Sequence, residues 1–220
     1  KRIALLGGTI LASIVLFGAL ASSASAMKPV GFFLAGEKSE EKAKQPRFEA
    51  ESYPVTLRGT QNTAHVFTSQ IGSWSCNTAE FFGEQSSATA EQWLWMSYFQ
   101  CTPPFGSGSI SPNGCEYKLH VANSGPPYTG QLEVVCPKEK SYELSFTSGA
   151  VTCTMAIPAQ TGLNGVSFKN TGTGSARAVE VSFNVTGLKY SLKGPPLLCK
   201  AGAYENGTYT GTMTLHGSDE

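Results

Sequence analysis

The sequence predicts an all-β protein: an antiparallel β-sandwich, or a partly open barrel, with about ten to twelve short strands and three disulfides. The first observation behind this is that apolar and polar residues alternate along many short runs, which Gly, Pro, Asn and Ser separate. The second is that no run of ten or more residues between capping signals has helical periodicity. The third is an even number of cysteines, six, all after residue 75.

The alternating runs predict the individual strands. They lie at 53–59, 64–68, 72–77, 80–83, 92–101, 141–147, 150–157, 165–169, 177–186, 189–192 and 208–216, with a central hairpin within 114–137. Residues 86–95 form the one stretch that could make a turn or two of helix. The Gly- and Ser-rich stretches 102–113 and 171–176 are interpreted as flexible connections.

The central hairpin has the most strongly specified register. Two alternating runs are joined by the turn at 123–128, so that each apolar residue of one run faces an apolar residue of the other. The predicted partners are Cys115–Cys136, Tyr117–Val134, Leu119–Leu132 and, on the polar face, Lys118–Glu133. Opposed strand residues have Cα atoms about 4.5–5.5 Å apart, which a disulfide accepts.

The register therefore predicts a Cys115–Cys136 disulfide. Of the fifteen pairings that six cysteines allow, we favour the sequential one, and Cys76–Cys101 and Cys153–Cys199 follow largely by elimination. No CxxC motif and no Cys/His cluster with zinc spacing occurs in the sequence. We predict that the cysteines are structural, and we predict neither a metal nor a cofactor.

The amino-terminal region predicts export. A basic start, an apolar segment at 3–20 and the small residues Ala24 and Ala26 are typical of a signal peptide over 1–26. A retained membrane anchor is the alternative, because the apolar segment is long. Residues 27–47 predict a charged flexible linker, although 30–34 could dock as a strand, and 48–220 predict one all-β domain.

These features place the protein outside the cytoplasm, secreted or at the cell surface. Without Lys1 and Arg2 the chain has 14 basic and 16 acidic side chains, a net charge of −2. That balance gives no electrostatic footprint for nucleic acid or for an anionic membrane surface. A membrane contact is expected only if the amino-terminal segment is retained, and a glycan or a cell-surface protein is the expected partner.

Several motifs resemble those of a family of small exported actinobacterial proteins of unknown function. They are YPVTLRGTQ at 53–61, HVF at 65–67, the cysteine at 76, NGCEY at 113–117, VVCP at 134–137, CTMAIPAQ at 153–160 and NGTYTGTMTLHG at 206–217. The resemblance covers about residues 48–217. It implies export and an all-β fold, and it implies no activity and no functional residue.

Residues for catalysis are sparse. Asp219 is the only aspartate, which disfavours an Asp-ligated calcium site and an aspartic-protease pair. His120 and His216 fall on polar strand faces, and with His65 they share no metal-binding spacing. A hydrolase that uses Glu and His on a sheet face remains an alternative, but no GxSxG motif supports it.

Aromatic residues give the one indication of a binding site. In 92–101, Trp93, Trp95 and Phe99 share one strand face, and Leu94, Met96 and Tyr98 share the other. Either both faces are buried, which we favour because a Trp often packs beside a disulfide, or one aromatic row is exposed. The candidate ligand-binding residues are Trp74, Trp93, Trp95 and Tyr98.

Three functions are therefore compared. The first is a non-catalytic binding domain for a glycan or protein, which would bind through loops at one end of a rigid β scaffold. The second is the Glu/His hydrolase. The third is a structural or assembly subunit of the cell surface that adds strands edge to edge.

Overall fold

The computed structural model describes residue 33 and residues 53–123, 125–173 and 176–218. These residues form an all-β protein with eleven strands and one short helix, α1 (Pro196–Cys199). The strands are β1 (Val55–Ser69), β2 (Gly72–Gln85), β3 (Glu91–Thr102), β4 (Ser107–Ser111), β5 (Glu116–Val121), β6 (Tyr128–Val135), β7 (Ser141–Ser148), β8 (Val151–Pro158), β9 (Gln160–Thr171), β10 (Ala178–Lys193) and β11 (Gly202–Ser218). No helix in this part of the chain is long and apolar enough to cross a membrane.

Eight antiparallel strands close into a barrel, in the order β11-β1-β2-β3-β5-β6-β9-β10, and pairing of β10 with β11 completes the ring. Three further strands, β8, β7 and β4, continue the sheet from the end of β10. The prediction of an all-β fold is confirmed. Of the two predicted architectures, the sandwich is wrong and the partly open barrel is nearer, although this barrel is closed. One sheet curls until its first and last barrel strands pair, instead of two sheets packing face to face.

The strands are also longer than predicted, because irregular residues bend them without ending them. Between Thr60 and His65 the pairing of β1 with β2 shifts register, so two predicted strands form one strand of 15 residues. In β10, Gly187 has a φ of +73°, which suits glycine, and the strand continues through it. The stretch 102–113 contains β4, and 86–95 has no helix because β3 begins at Glu91.

The predicted hairpin register is confirmed. Tyr117 pairs with Val134, Lys118 with Glu133 and Leu119 with Leu132. The three predicted disulfides are present: the Cα atoms are 4.0 Å apart in Cys115–Cys136, 3.9 Å in Cys76–Cys101 and 5.4 Å in Cys153–Cys199. Two of them therefore join neighbouring strands of the barrel, and the third fastens the connection after β10 to β8.

The extra strands cover one end of the barrel. The Trp74 indole of β2 lies against the Phe146 ring of β7, with centroids 6.0 Å apart. Gly108 of β4 packs on the same indole, where a Cβ atom would overlap the ring. Tyr142 of β7 stacks on Phe67 of β1 at 5.9 Å. The extension and the barrel thus share one hydrophobic core.

Residues 1–26, predicted as a signal peptide, lie outside the described residues, as does the predicted linker 27–47 except for Phe33. Phe33 is fully buried, pairs with Thr89 and contacts the Phe168 ring edge-on at 5.3 Å. The Gln85 side-chain amide donates to the Phe33 carbonyl oxygen at 2.8 Å. At Phe33, therefore, the chain before the barrel packs against the domain, as expected if residues 30–34 dock as a strand.

Candidate ligand-binding surface

Strand β3 separates its aromatic side chains between the core and the solvent. Leu94, Met96 and Tyr98 face the interior of the barrel and are buried. Trp93, Trp95 and Phe99 face outward and are 42%, 57% and 50% exposed. The interpretation that both faces are buried is therefore wrong, because β3 lies in a single closed layer whose outer face has nothing packed on it among the described residues.

The outward-facing aromatic residues form a continuous surface with a neighbour from β2. Phe82 lies directly opposite Trp95, and the Arg58 guanidinium lies 5.6 Å from the centre of the Phe82 ring. We call Phe82, Trp93, Trp95 and Phe99 the aromatic strip. Residues 93 and 95 are about 7 Å apart along the strand, so their rings are neighbours.

Polar contacts from β5 orient both indoles. The Trp95 indole N–H donates to the Glu116 carboxylate. The Lys118 ammonium lies over the Trp93 ring, 5.2 Å from its centre. Because each indole has a partner on the neighbouring strand, the strip is ordered before any ligand arrives, which reduces the entropy lost on binding.

A cluster of charged side chains borders the strip. Lys118 bridges Glu91 at 2.7 Å and Glu133 at 3.7 Å. His120 approaches the same two carboxylates, at 3.5 Å for Glu91 and 2.9 Å for Glu133. Partial burial lowers the pKa of Lys118, but the two carboxylates outweigh burial and raise that pKa above its usual value. The cluster is a charged rim beside an apolar centre.

Two of the predicted binding residues are not on this surface. Trp74 is fully buried beneath β4, and Tyr98 is buried inside the barrel. A ligand on the outer face of β3 cannot touch either one. They were grouped with Trp93 and Trp95 because residue type and strand position do not tell which way a strand faces when both of its faces are apolar.

Tyr98 instead belongs to a hydrogen-bonded network in the core. Its hydroxyl lies 2.6 Å from the Tyr209 hydroxyl and 3.2 Å from that of Tyr117. The Tyr209 hydroxyl also hydrogen-bonds His65 Nδ1 at 2.7 Å. Burial lowers the pKa of His65 to about 4, and burial raises the pKa of the tyrosines Tyr98, Tyr117, Tyr142 and Tyr209. These groups are therefore neutral at neutral pH.

The interior leaves no room for a ligand beside this network. The gap between Tyr117, Tyr142 and Tyr209 measures about 10 Å³, which is the space of one water molecule at most. Eight-stranded barrels are just wide enough for side chains to fill them, and large aromatic residues fill this one.

A groove of about 690 Å³ lies on the outside, between β8 and the hairpin of β10 and β11. Tyr204 lines it and stacks on buried Tyr190, with ring centres 5.3 Å apart and planes 19° apart. The Tyr204 hydroxyl donates to the Lys200 carbonyl oxygen at 2.7 Å. Lysines and glutamates surround it: Glu139, Lys140, Lys189, Lys193 and Glu205. The sequence reasoning missed this groove, because it depends on pairing between distant strands.

The three histidines end in different places. His65 is buried on β1, where its alternation with Phe67 was a signal for an inward position. His216 is exposed on β11. His120 meets Glu133 and Glu91, so the structure does bring a His and two Glu side chains together, but on the outer wall of the barrel within the charged rim. In the described part of the chain, no group of three or more His, Cys, Asp or Glu residues could hold a metal.

No protein-family model matches the chain, and no match was found among curated proteins or among solved structures. The resemblance to exported actinobacterial proteins therefore stays a prediction.

Proposed function

We propose that this protein is a non-catalytic binding domain that acts outside the cytoplasm, secreted or in the cell envelope, and that it binds a protein partner through the aromatic strip. The observation that carries the proposal is the exposure of Trp93, Trp95 and Phe99 in one row on a barrel wall. Single exposed apolar residues are ordinary, whereas a row of large aromatic side chains is typical of an interaction site.

The composition of the strip favours a protein partner. Trp and Arg are among the residues that most often dominate protein interfaces. Arg58 borders the strip, where its guanidinium lies over the Phe82 ring. The centre is apolar, and the charged cluster of Glu91, Lys118, His120 and Glu133 lies at its edge. An apolar centre with a charged rim is the usual anatomy of such an interface. A small molecule would need a concave site, and the strip lies on the outer wall of a barrel.

The disulfides support the location. Three disulfides are typical of proteins from oxidising compartments and rare in the cytosol. Together with the predicted signal peptide, they favour an extracellular or envelope protein.

Photo-crosslinking would test this proposal. A photo-reactive amino acid replaces Ser97, which lies between Trp95 and Phe99 on the outer face of β3, and the variant is incubated with the producing cells. The control carries the same group at Thr210, an outward position on β11. We expect one principal crosslinked protein from position 97, absent from position 210 and lost when Trp95→Ala is added. Equal crosslinking from both positions would count against the proposal.

A glycan is the second candidate ligand, and the groove is the observation that favours it. Tyr204 is held by Tyr190 and by the Lys200 carbonyl while it lines an open groove, which gives a rigid aromatic wall beside charged groups able to bond hydroxyls. Oligosaccharide binding that Tyr204→Ala abolishes and Trp95→Ala leaves unchanged would establish this function. The reverse pattern would assign the glycan to the strip.

The other two functions remain predictions. The contact between His120 and Glu133 is weak support for a hydrolase, because both residues already belong to the charged rim. For an assembly subunit, β4 offers an edge: it is the last strand of the sheet and pairs with β7 on one side.

A further inference from the structure

One end of the molecule brings together four connecting segments: 69–73, 102–107, 147–152 and 193–202. They lie apart from the aromatic strip, and they share Lys193 with the edge of the groove. Contacts between them are direct. The Lys200 ammonium donates to the Gln70 carbonyl oxygen at 3.0 Å, Gly72 packs on Pro104, and Gly106 packs on the Thr147 carbonyl. Next to these segments, the Phe105 ring contacts Phe146 of β7 edge-on at 4.5 Å. Phe146 pairs with Cys153, which is bonded to Cys199. We call these four segments the loop end.

The loop end exposes large apolar side chains at its tips. Leu197 is 96% exposed, Leu198 58% and Phe105 44%. The leucines lie in α1, which begins after Pro195 and ends at Cys199, so a disulfide fixes the segment that presents them. These side chains gain little from folding, because they are in water in the folded and in the unfolded chain, and a group of exposed apolar residues is typical of an interaction site. Their rigid support indicates that the exposure belongs to the fold and does not reflect fraying.

The charged side chains of the loop end are all positive. Its four segments contain two lysines, Lys193 and Lys200, and neither Asp nor Glu. Among the described residues, the one carboxylate within ion-pair distance of these lysines belongs to Glu143 of β7, 4.0 Å from the Lys193 ammonium. The chain as a whole has no net charge, so the loop end is more positive than the average of the chain.

We propose that the loop end docks on the surface of an anionic lipid bilayer. Leu197, Leu198 and Phe105 enter the boundary between headgroups and acyl chains, while Lys193 and Lys200 bind lipid phosphates. Projecting leucines flanked by lysines fit this occupant better than they fit a protein, because a protein interface is typically built on aromatic and Arg side chains in a packed patch. The proposal is independent of the function assigned to the strip.

Strand β3 connects the two surfaces. It runs from Glu91 to Thr102, and Thr102 is followed directly by the segment that carries Phe105. The aromatic strip therefore extends away from the loop end along the barrel wall, and docking leaves Trp93 and Trp95 accessible.

Vesicle sedimentation of the exported protein tests the proposal. We expect it to bind vesicles of equal parts phosphatidylglycerol and phosphatidylcholine at least tenfold better than vesicles of phosphatidylcholine alone. Leu197→Ser with Leu198→Ser should lower binding at least tenfold, and Lys200→Glu should lower it on the anionic vesicles only. The matched control, Trp93→Ser with Trp95→Ser, removes two exposed apolar residues elsewhere and should change binding less than twofold.

A second measurement locates the contact. Leu197→Trp places an indole at the tip of α1, and its fluorescence should shift to shorter wavelength when anionic vesicles are added. Absence of vesicle binding by the wild-type protein would overturn the proposal, as would equal losses in the loop-end and control variants. Capture of a protein through position 197 without lipid would assign the loop end to a protein partner instead.

Discussion

The Lys118 ammonium lies 5.2 Å from the centre of the Trp93 ring and, at the same time, 2.7 Å from a Glu91 carboxylate oxygen. One cation therefore contacts both the Trp93 end of the aromatic strip and the charged rim beside it. This explains how a tryptophan on a barrel wall is held in one orientation while much of its surface remains in solvent.

Loss of this cation should lower the stability of the protein slightly. Lys118→Met keeps the apolar stem and removes the charge, and we expect the free energy of unfolding in urea to fall by about 0.5–1 kcal/mol. The control is Lys189→Met, whose ion pair with Glu205 lies largely in solvent and should contribute less than about 0.5 kcal/mol. Equal effects for the two variants would contradict the role of Lys118.

The buried tyrosines allow a matched comparison. Tyr209→Phe removes the hydroxyl that joins His65 to Tyr98, so two buried groups lose a partner and the free energy of unfolding should fall by about 1–3 kcal/mol. Tyr142→Phe removes a buried hydroxyl that has no hydrogen-bond partner among the described residues, and it should be neutral or stabilising. Urea unfolding of both variants measures the difference. A larger loss of unfolding free energy for Tyr142→Phe than for Tyr209→Phe would contradict this hydrogen-bond network.

Stability should depend on pH through His65. Its pKa falls from 6.5 to about 4 on folding, so the folded state favours the neutral ring. The stability that depends on a neutral His65 is fully present above pH 6.5 and is lost as the pH falls from 6.5 to about 4. In that range the unfolded chain binds a proton at His65 and the folded protein does not. The total loss is roughly 3 kcal/mol.

Unfolding of His65→Asn from pH 8 to pH 4 tests this dependence. The slope of stability against pH should be smaller than in the wild type, whereas His216→Asn, at an exposed position, should keep the wild-type slope. Identical slopes for the wild type and His65→Asn would exclude the buried histidine as the cause.

The disulfides should make a large contribution. Cys115→Ser with Cys136→Ser opens a loop with a sequence separation of 21 and should cost about 3 kcal/mol. Alkylation of the folded, unreduced wild-type protein should label no cysteine. Labelling of Cys115 and Cys136 without reductant would contradict this framework.

Local signals predicted the hairpin of β5 and β6, because its register depends on two neighbouring runs and one turn. Closure of the barrel was beyond the sequence, since it requires β1 to pair with β11 across more than a hundred residues, as in Thr56 with Ser218. For a related reason, the sequence did not determine whether the Trp93 and Trp95 side chains face inward or outward. Both faces of β3 are apolar, and only the closed layer decides which one is inside.

The most direct test of the proposed function is a calorimetric titration of the crosslinked partner, once identified, into three forms of the protein. Trp93→Ala with Trp95→Ala should weaken binding about 100-fold or more, because each indole is placed as an interface hot spot. Tyr204→Ala, in the groove, should leave the affinity within twofold of the wild type. Unchanged affinity in the double tryptophan variant would contradict the assignment of the aromatic strip as the binding surface.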